Sequence, residues 1–278
     1  MLFNMHHLID DATSLRFLFS EIVAYLKGEV SSDRNLTSYR EFIGHAINQM
    51  NSDDTKAYFE KTLGDVNEPT LPFGIVDVYG DGRSILDMRR SLLAIYPTAS
   101  VPLRNECISV QPVFFMLGPL LPPYAQGKMI LYLEQFYQEI ARNPGAERML
   151  GNFINTLPMR AQLANKSVKE LLEETDVTLR NLIRYEKASL SLAQSCSGLD
   201  SNIPLFGSLI NYRFMDSNER INNKELEEFG IKSLTGVVER TNYPLLVSVD
   251  DQGDEFSVEV QAVQPISCDS IHNYFKMP

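Results

Sequence analysis

The sequence predicts a mixed α/β fold, because helical and strand patterns occur along the same chain. Apolar residues recur at helical spacing over 15–27 and again over 168–187, where the capping box Ser167-Val-Lys-Glu170 precedes them. Residues 244–263 alternate between apolar and polar on both sides of a Gln-Gly turn, which is typical of a β-hairpin. Together these patterns favour the α/β (α+β mixed) class.

The individual elements follow from local signals at their ends. Ser14 is the expected N-cap of the helix over 15–27, and Gly28 is its expected stop. The other elements are predicted as helices over 38–48 and 54–63, a surface loop over 68–81, and strands over 151–164 and 205–214.

Composition excludes several functional classes. The chain has 278 residues with a formal net charge of -11, which argues against nucleic acid or an anionic membrane as the main partner. No apolar run reaches the ~18 residues that span a bilayer. The three cysteines, Cys107, Cys196 and Cys268, form no C-x-x-C pair, which predicts neither a disulfide framework nor a zinc cluster and favours a cytoplasmic location.

The run MHHLIDDATS at 5–14 contains the candidate catalytic residues His6, His7 and Asp11. On an extended segment adjacent histidines point in opposite directions, so one can be structural while the other faces a channel. His7 is then a candidate general base, since the pKa of imidazole lies near neutral pH. Two other interpretations are a metal site and a polar pair without catalytic function.

The same run resembles the His-His-x-x-x-Asp-Gly motif of condensation domains of nonribosomal peptide synthetases. GNFINTLPMR at 151–160 is similar to a second motif of that family. Further similar segments follow in the family's order, at YFEKTLGDVNEPTLPFG, SVKELLEET, RYEKASLSLAQ, IPLFGSLINYRF and ERTNYPLLVSVDDQGDEFSVEVQA. The resemblance covers 1–92 and about 145–265.

The resemblance implies a chloramphenicol acetyltransferase-like fold of two lobes with an active-site tunnel between them. By the same resemblance, no cofactor is expected to bind directly. Donor and acceptor carrier domains bring substrates on phosphopantetheine, an adenylation domain belongs to the same synthetase, and the product is an amide. His7 matches the functional histidine, acting as a base or positioning the amine. His6 and Asp11 match supporting positions, and Asp11 is expected to pair with an arginine of the second lobe.

The sequence also departs from the family pattern. Most of the first lobe expected before the histidines is missing, and the expected last helix begins in SCDSIHNYFKMP and then stops. Ala12 stands where the motif often has Gly. The resemblance therefore predicts a fragment in three parts. Residues 1–92 are the end of the first lobe, 93–144 are aberrant, and 145–278 are the rest of the second lobe.

A shifted reading frame is the hypothesis for the aberrant part. Read one base early, the codons of AQGKMILYLEQFYQE at 125–139 permit Ser-Gly-Gln-Asp-Asp-Ile-Val-Phe-Gly-Thr-Val-Leu-Ser-Gly, a family-like sequence. The shift replaces a core helix and strand, and it removes the arginine expected for Asp11. An uncompensated buried carboxylate costs about 3–5 kcal/mol. Pro119, Pro122 and Pro123 would break the replaced helix at about 3 kcal/mol each. The chain alone is therefore expected to have little or no activity.

The sequence thus predicts a condensation-domain fragment, by descent an amide-forming acyltransferase. Two rival functions remain open at this point. One is a free-standing acyltransferase of the same superfold that uses coenzyme A. The other is a non-catalytic remnant that still docks carrier domains.

Overall fold

The computed structural model describes residues 9, 11–29, 38–78, 80, 82–91, 128–135, 149–162, 165–214, 223–231, 240–251 and 256–274. The helices within these residues are α1 (Ala12–Lys27), α2 (Tyr39–Met50), α3 (Asp53–Leu63), α4 (Val168–Arg184), α5 (Leu190–Ser195), α6 (Asn223–Glu228) and α7 (Cys268–Tyr274). The strands are β1 (Ile85–Ser91), β2 (Lys128–Gln135), β3 (Asn155–Gln162), β4 (Ser208–Phe214), β5 (Leu245–Asp251) and β6 (Phe256–Val263). The predicted mixed α/β class is confirmed.

The six strands of the described residues form one mixed sheet in the order β1-β6-β5-β4-β2-β3. β6 pairs antiparallel with both β1 and β5, which confirms the predicted hairpin over 244–263. β4 runs parallel to β5 and to β2, and β3 closes the sheet antiparallel to β2. Pro158 lies in β3, where its missing N–H does little harm because β3 is an edge strand of this sheet.

One face of the sheet carries the main hydrophobic core. Val247, Val249, Val258 and Val260 are at most 1% exposed, as the two-residue period of a half-buried strand requires. Helical residues complete the same cluster, namely Phe59 and Leu63 of α3, Leu179 and Leu182 of α4, Ala193 of α5, and Cys268 and Ile271 of α7. Each large side chain buried in this way stabilises the fold by about 1.5–3 kcal/mol.

Polar residues of β1, β4, β5 and β6 form an ionic group around the buried carboxylate of Asp250, which we call the Asp250 network. Asp250 is 1% exposed and accepts hydrogen bonds from Arg89 and from Nε of Arg213, the latter at 2.6 Å. Both arginines also pair with Glu259, at 3.2 and 3.4 Å. Because two carboxylates and two guanidinium groups offset one another, this network is compensated in charge.

The helix ends show where local signals were sufficient and where they were not. The predicted capping box at Ser167 and Glu170 is present in both directions. Gly28 ends α1 in the left-handed conformation with φ 75°, also as predicted. The predicted N-cap is wrong, because α1 begins at Ala12 and its cap is Asp11 rather than Ser14.

Strand β2 lies inside the stretch 93–144 that the sequence analysis set apart as aberrant. Lys128–Gln135 pair with β3 along their whole length and with β4 at three positions. A strand therefore occupies this place in the sheet, between β4 and β3. The prolines invoked for a broken helix, at 119, 122 and 123, lie outside the described residues.

The described residues fall into two compact units. The first draws on 1–48, 136–154 and 216–238, and the second on 49–135, 155–215 and 239–278. This division is spatial, and the organisation into 1–92, 93–144 and 145–278 stays a prediction. No helix in the described part of the chain is long and apolar enough to cross a membrane. Cys196 and Cys268 are free and buried, while Cys107 lies outside the described residues.

Candidate active site

Of the three predicted catalytic residues, the structure describes Asp11, while His6 and His7 lie outside the described residues. Asp11 is 2% exposed, and both oxygens of its carboxylate accept hydrogen bonds. Oδ1 accepts from the backbone N–H of Ser14 at 2.8 Å, which caps α1. Oδ2 accepts from the backbone N–H of Phe153 at 3.1 Å.

Asp11 was expected to pair with an arginine and to be left uncompensated without it. In the described residues its carboxylate instead accepts from two backbone N–H groups, that of Ser14 in the first turn of α1 and that of Phe153 outside the helix. The dipole of α1 also favours negative charge at this end. The penalty of about 3–5 kcal/mol for a buried carboxylate without a partner therefore does not apply to this geometry.

Ser14 is the second buried polar residue in the first turn of α1, at 2% exposure. Its hydroxyl donates to the carbonyl oxygen of Gly151 at 2.7 Å and accepts from the N–H of Gly151 at 2.9 Å. A hydroxyl can both donate and accept a hydrogen bond, so the side chain of Ser14 satisfies both the C=O and the N–H of Gly151. We call Asp11, Ser14, Gly151 and Phe153 the α1 anchor.

A glycine is required at position 151 for steric reasons. A Cβ placed there would lie 2.2–2.7 Å from three atoms of the Tyr39 ring. That ring is held in turn, since it stacks on Phe42 at 5.5 Å and meets Phe153 edge-on at 5.2 Å. With Met149 these aromatic rings form the small core of the first unit.

The hydroxyl of Tyr39 points toward the same backbone segment. It donates to the carbonyl oxygen of Asn152 at 2.5 Å. Burial raises the pKa of Tyr39 above its usual value, and the negative charge of Asp11 raises it further. Tyr39 therefore stays protonated at neutral pH and acts as a hydrogen-bond donor.

Two further polar residues of GNFINTLPMR, Asn155 and Arg160, make contacts within the second unit. Asn155 donates to the carbonyl oxygens of Glu186 and Ala188, the latter at 2.7 Å, and so fixes the turn that follows α4. Arg160 pairs with Asp65 and donates to the carbonyl oxygen of Thr62 at 2.8 Å, near the end of α3. These contacts give Asn155 and Arg160 a structural role.

The second unit also has an open groove of about 840 Å³ between α3, the edge of β3 and α4. Arg160, Asp65, Lys166 and Glu174 line it, and they are already joined in two ion pairs. Because these charges offset one another, the groove presents no cluster of a single charge for a ligand. The α1 anchor is therefore the stronger candidate for a functional site.

Comparison with known proteins agrees with the two motifs that meet in the α1 anchor. The family model described as "Condensation domain" matches residues 139–264. Malpinin synthetase of Mortierella alpina is 31% identical over 278 residues, and malpibaldin synthetase of the same organism is 29% identical. Both alignments cover 98% of this chain. The chain belongs to the condensation-domain family of nonribosomal peptide synthetases.

The condensation-domain fold is shown by solved structures as well. The starter condensation domain of rhizomide synthetase superposes with a TM-score of 0.69 at 15% identity, over 98% of this chain and 63% of that one. This chain spans only 4–5% of the length of the two fungal synthetases. Membership of the family therefore does not assign the reactions, substrates or partners of those two synthetases to this chain.

The assignment of Asp11 to the site stays a prediction, and sequence reasoning missed the contact of Ser14 with Gly151. It assigned Ser14 to the cap of α1, because serine and aspartate are equally good N-caps. The signal available in the sequence was Gly151 in the second motif. A glycine allows another part of the chain to approach its backbone closely. No rule of spacing joins residues 137 positions apart, so the contact of Ser14 with Gly151 was not predictable.

Proposed function

We propose that this condensation domain forms an amide bond between two substrates held as thioesters on phosphopantetheine arms of carrier domains. The observation that supports it most directly is the α1 anchor. Its hydrogen bonds hold the end of the histidine motif, at Asp11, against the glycine and phenylalanine of the second family motif. The relatives are synthetases, which favours this function over a free-standing acyltransferase that uses coenzyme A.

In the proposed reaction, the amine of the acceptor attacks the carbonyl carbon of the donor thioester. The C–N bond forms and the C–S bond breaks, and the thiol of the donor arm leaves with a proton. His7 accepts a proton from the attacking amine or holds that amine by a hydrogen bond. His6 and Asp11 support this histidine. Asp11 does so by capping α1, which begins at Ala12, the next residue along the chain.

The test is turnover in the context of a synthetase with matched carrier-bound substrates. His7→Ala is expected to abolish amide formation, while His45→Ala, at an exposed position on α2, is expected to leave it unchanged. Full turnover by the His7→Ala variant would contradict the proposed role. The isolated chain is expected to show little or no turnover, and clear turnover by it would contradict that expectation.

We also propose that residues 93–144 arise from a shifted reading frame. Support comes from the family-like residues that the shifted codons permit at 125–139. The test is accurate resequencing of the coding DNA, followed by translation in the shifted frame. The proposal requires the shifted frame to encode the family-like residues that the amino-acid sequence permits at 125–139. A shifted frame that encodes unrelated residues there would refute it.

A further inference from the structure

We propose that Ser14 is a positioning residue for His7, because it fixes the start of α1, which follows the histidine motif directly, onto the backbone of residues 151–153. The proposal rests on the proposed function, because it matters for catalysis only if His7 takes part in the reaction. The site it assigns is the hydroxyl of Ser14 together with the peptide groups of Gly151.

The geometry shows that the start of α1 is held from outside the helix. Three hydrogen bonds join its first turn to the backbone of 151–153, two through the Ser14 hydroxyl and one through the Asp11 carboxylate. These contacts span 137 and 142 positions of sequence. These hydrogen bonds are buried. Removing one partner of a buried hydrogen bond costs more free energy than removing one partner of an exposed bond, because the group left behind has no replacement partner.

The hydroxyl of Ser14 has a property that the carboxylate of Asp11 lacks. It satisfies both the N–H and the C=O of Gly151, which a carboxylate cannot do because it only accepts. The Tyr39 ring blocks the space on the Cβ side of Gly151. The peptide is therefore held by hydrogen bonds to Ser14 and limited in its movement by the ring of Tyr39.

The anchor limits the position of His7 through the chain itself. Asp11 follows His7 by four positions, with three residues between them, so their Cα atoms are at most about 14 Å apart in a fully extended chain. Any shift of Asp11 relative to 151–153 moves the attachment point of that short segment. Loss of the Ser14 hydroxyl is therefore expected to change the surroundings of His7 without touching it.

The experiment measures the reactivity of His7 in the full chain with diethyl pyrocarbonate, read by mass spectrometry. His45 is exposed and serves as the fast standard, and His272, at 1% exposure, serves as the slow one. The variants are Ser14→Ala and Ser14→Cys, which keeps the volume but replaces the hydroxyl with a weaker partner. Ser20→Ala is the matched control, since the exposed hydroxyl of Ser20 donates within α1, to the carbonyl oxygen of Phe17.

In Ser14→Ala the rate of hydrogen exchange at the backbone amide of Gly151 is expected to rise about tenfold, which corresponds to the loss of one buried hydrogen bond. The rate at which diethyl pyrocarbonate modifies His7, relative to the rate for His45, is expected to rise about threefold or more. A change of this size is within the free energy of one buried hydrogen bond. If Ser14→Ala does not fold by circular dichroism, Ser14→Cys decides by the same two readouts. Ser20→Ala is expected to match the parent chain.

Faster exchange at Gly151 with unchanged reactivity of His7 would overturn the proposal, because Ser14 would then only support the fold. Unchanged exchange at Gly151 would overturn it as well, since the hydrogen bonds would contribute nothing. Neither readout depends on amide formation. Failure of this proposal is thus distinguishable from failure of the proposed function, which the His7→Ala turnover assay tests.

Discussion

The hydroxyl oxygen of Ser14 lies 2.7 Å from the carbonyl oxygen and 2.9 Å from the amide nitrogen of Gly151, so one side chain on α1 pairs with a complete residue of the second family motif. This arrangement needs a close approach of the backbone at position 151. The Tyr39 ring completes the enclosure on the other side.

Gly151→Ala is expected to destabilise the protein by about 1–3 kcal/mol, as overpacking of a filled site does. The added Cβ would lie under 3 Å from the Tyr39 ring, which is itself packed against Phe42 and Phe153. Urea denaturation measures the change. Gly44→Ala is the control, because Gly44 lies in α2 with nothing within 4 Å of a new Cβ, and about 0.5–1 kcal/mol of stabilisation is expected there. Equal stability of Gly151→Ala and the parent chain would contradict the steric argument.

Asp11→Ala is expected to cost about 2–4 kcal/mol, since it removes a helix cap and leaves the buried N–H of Phe153 without its acceptor. Asp11→Asn keeps one carbonyl oxygen and is expected to cost less. Thermal and urea unfolding measure both. The matched control is Ser52→Ala, because Ser52 is the N-cap of α3 but makes no capping hydrogen bond with its side chain. A loss as large in Ser52→Ala as in Asp11→Ala would refute the role given to the Asp11 carboxylate.

The capping box of α4 predicts a dependence of stability on pH. Hydrogen bonds from the Ser167 hydroxyl and backbone N–H hold the pKa of Glu170 below its ordinary value of 4.5. A lowered pKa in the folded state means that the stabilisation is full above about pH 4.5 and is lost as the pH falls through the folded pKa. The stability difference between the parent chain and Glu170→Ala is thus expected to shrink on acidification.

Urea midpoints measured from neutral pH down to about pH 3 follow this difference. Glu173→Ala is the control, because Glu173 is an exposed residue of the same helix that pairs with the exposed Lys169 at 3.8 Å. A difference for Glu170→Ala that stays constant over the acid range would show that its carboxylate does not cap α4.

Asp250→Ala is expected to destabilise the protein by about 2–3 kcal/mol, because it removes the buried centre of the Asp250 network. The expected loss is less than for a fully enclosed pair, since the side chain of Arg89 is 55% exposed and water can replace part of the interaction. Asp269→Ala is the control. It breaks an exposed pair with Arg90, where less than about 1 kcal/mol is expected. Urea unfolding measures the loss of stability in both variants. Equal losses would contradict the expectation that the buried Asp250 contributes more than the exposed Asp269.

The sequence alone was sufficient where partners lie close together along the chain. The capping box joins residues three positions apart, and the hairpin strands and the Gly28 stop depend on local backbone preferences. The two family motifs could also be located, since they are written in consecutive residues. These features require no knowledge of what packs against them.

Only the tertiary structure decided between Asp11 and Ser14 as the cap of α1. Both residues can cap a helix equally well, so their spacing to the helix left the choice open. The backbone of Gly151, 137 positions from Ser14, takes the serine hydroxyl, and the Asp11 carboxylate closes the helix. Arg160 with Asp65 and Arg89 with Asp250 are likewise joined across 95 and 161 positions. Such pairs form because folding brings polar groups that are distant in sequence within reach of one another. Where one of them is buried, as Asp250 is, burial also requires it to find a partner.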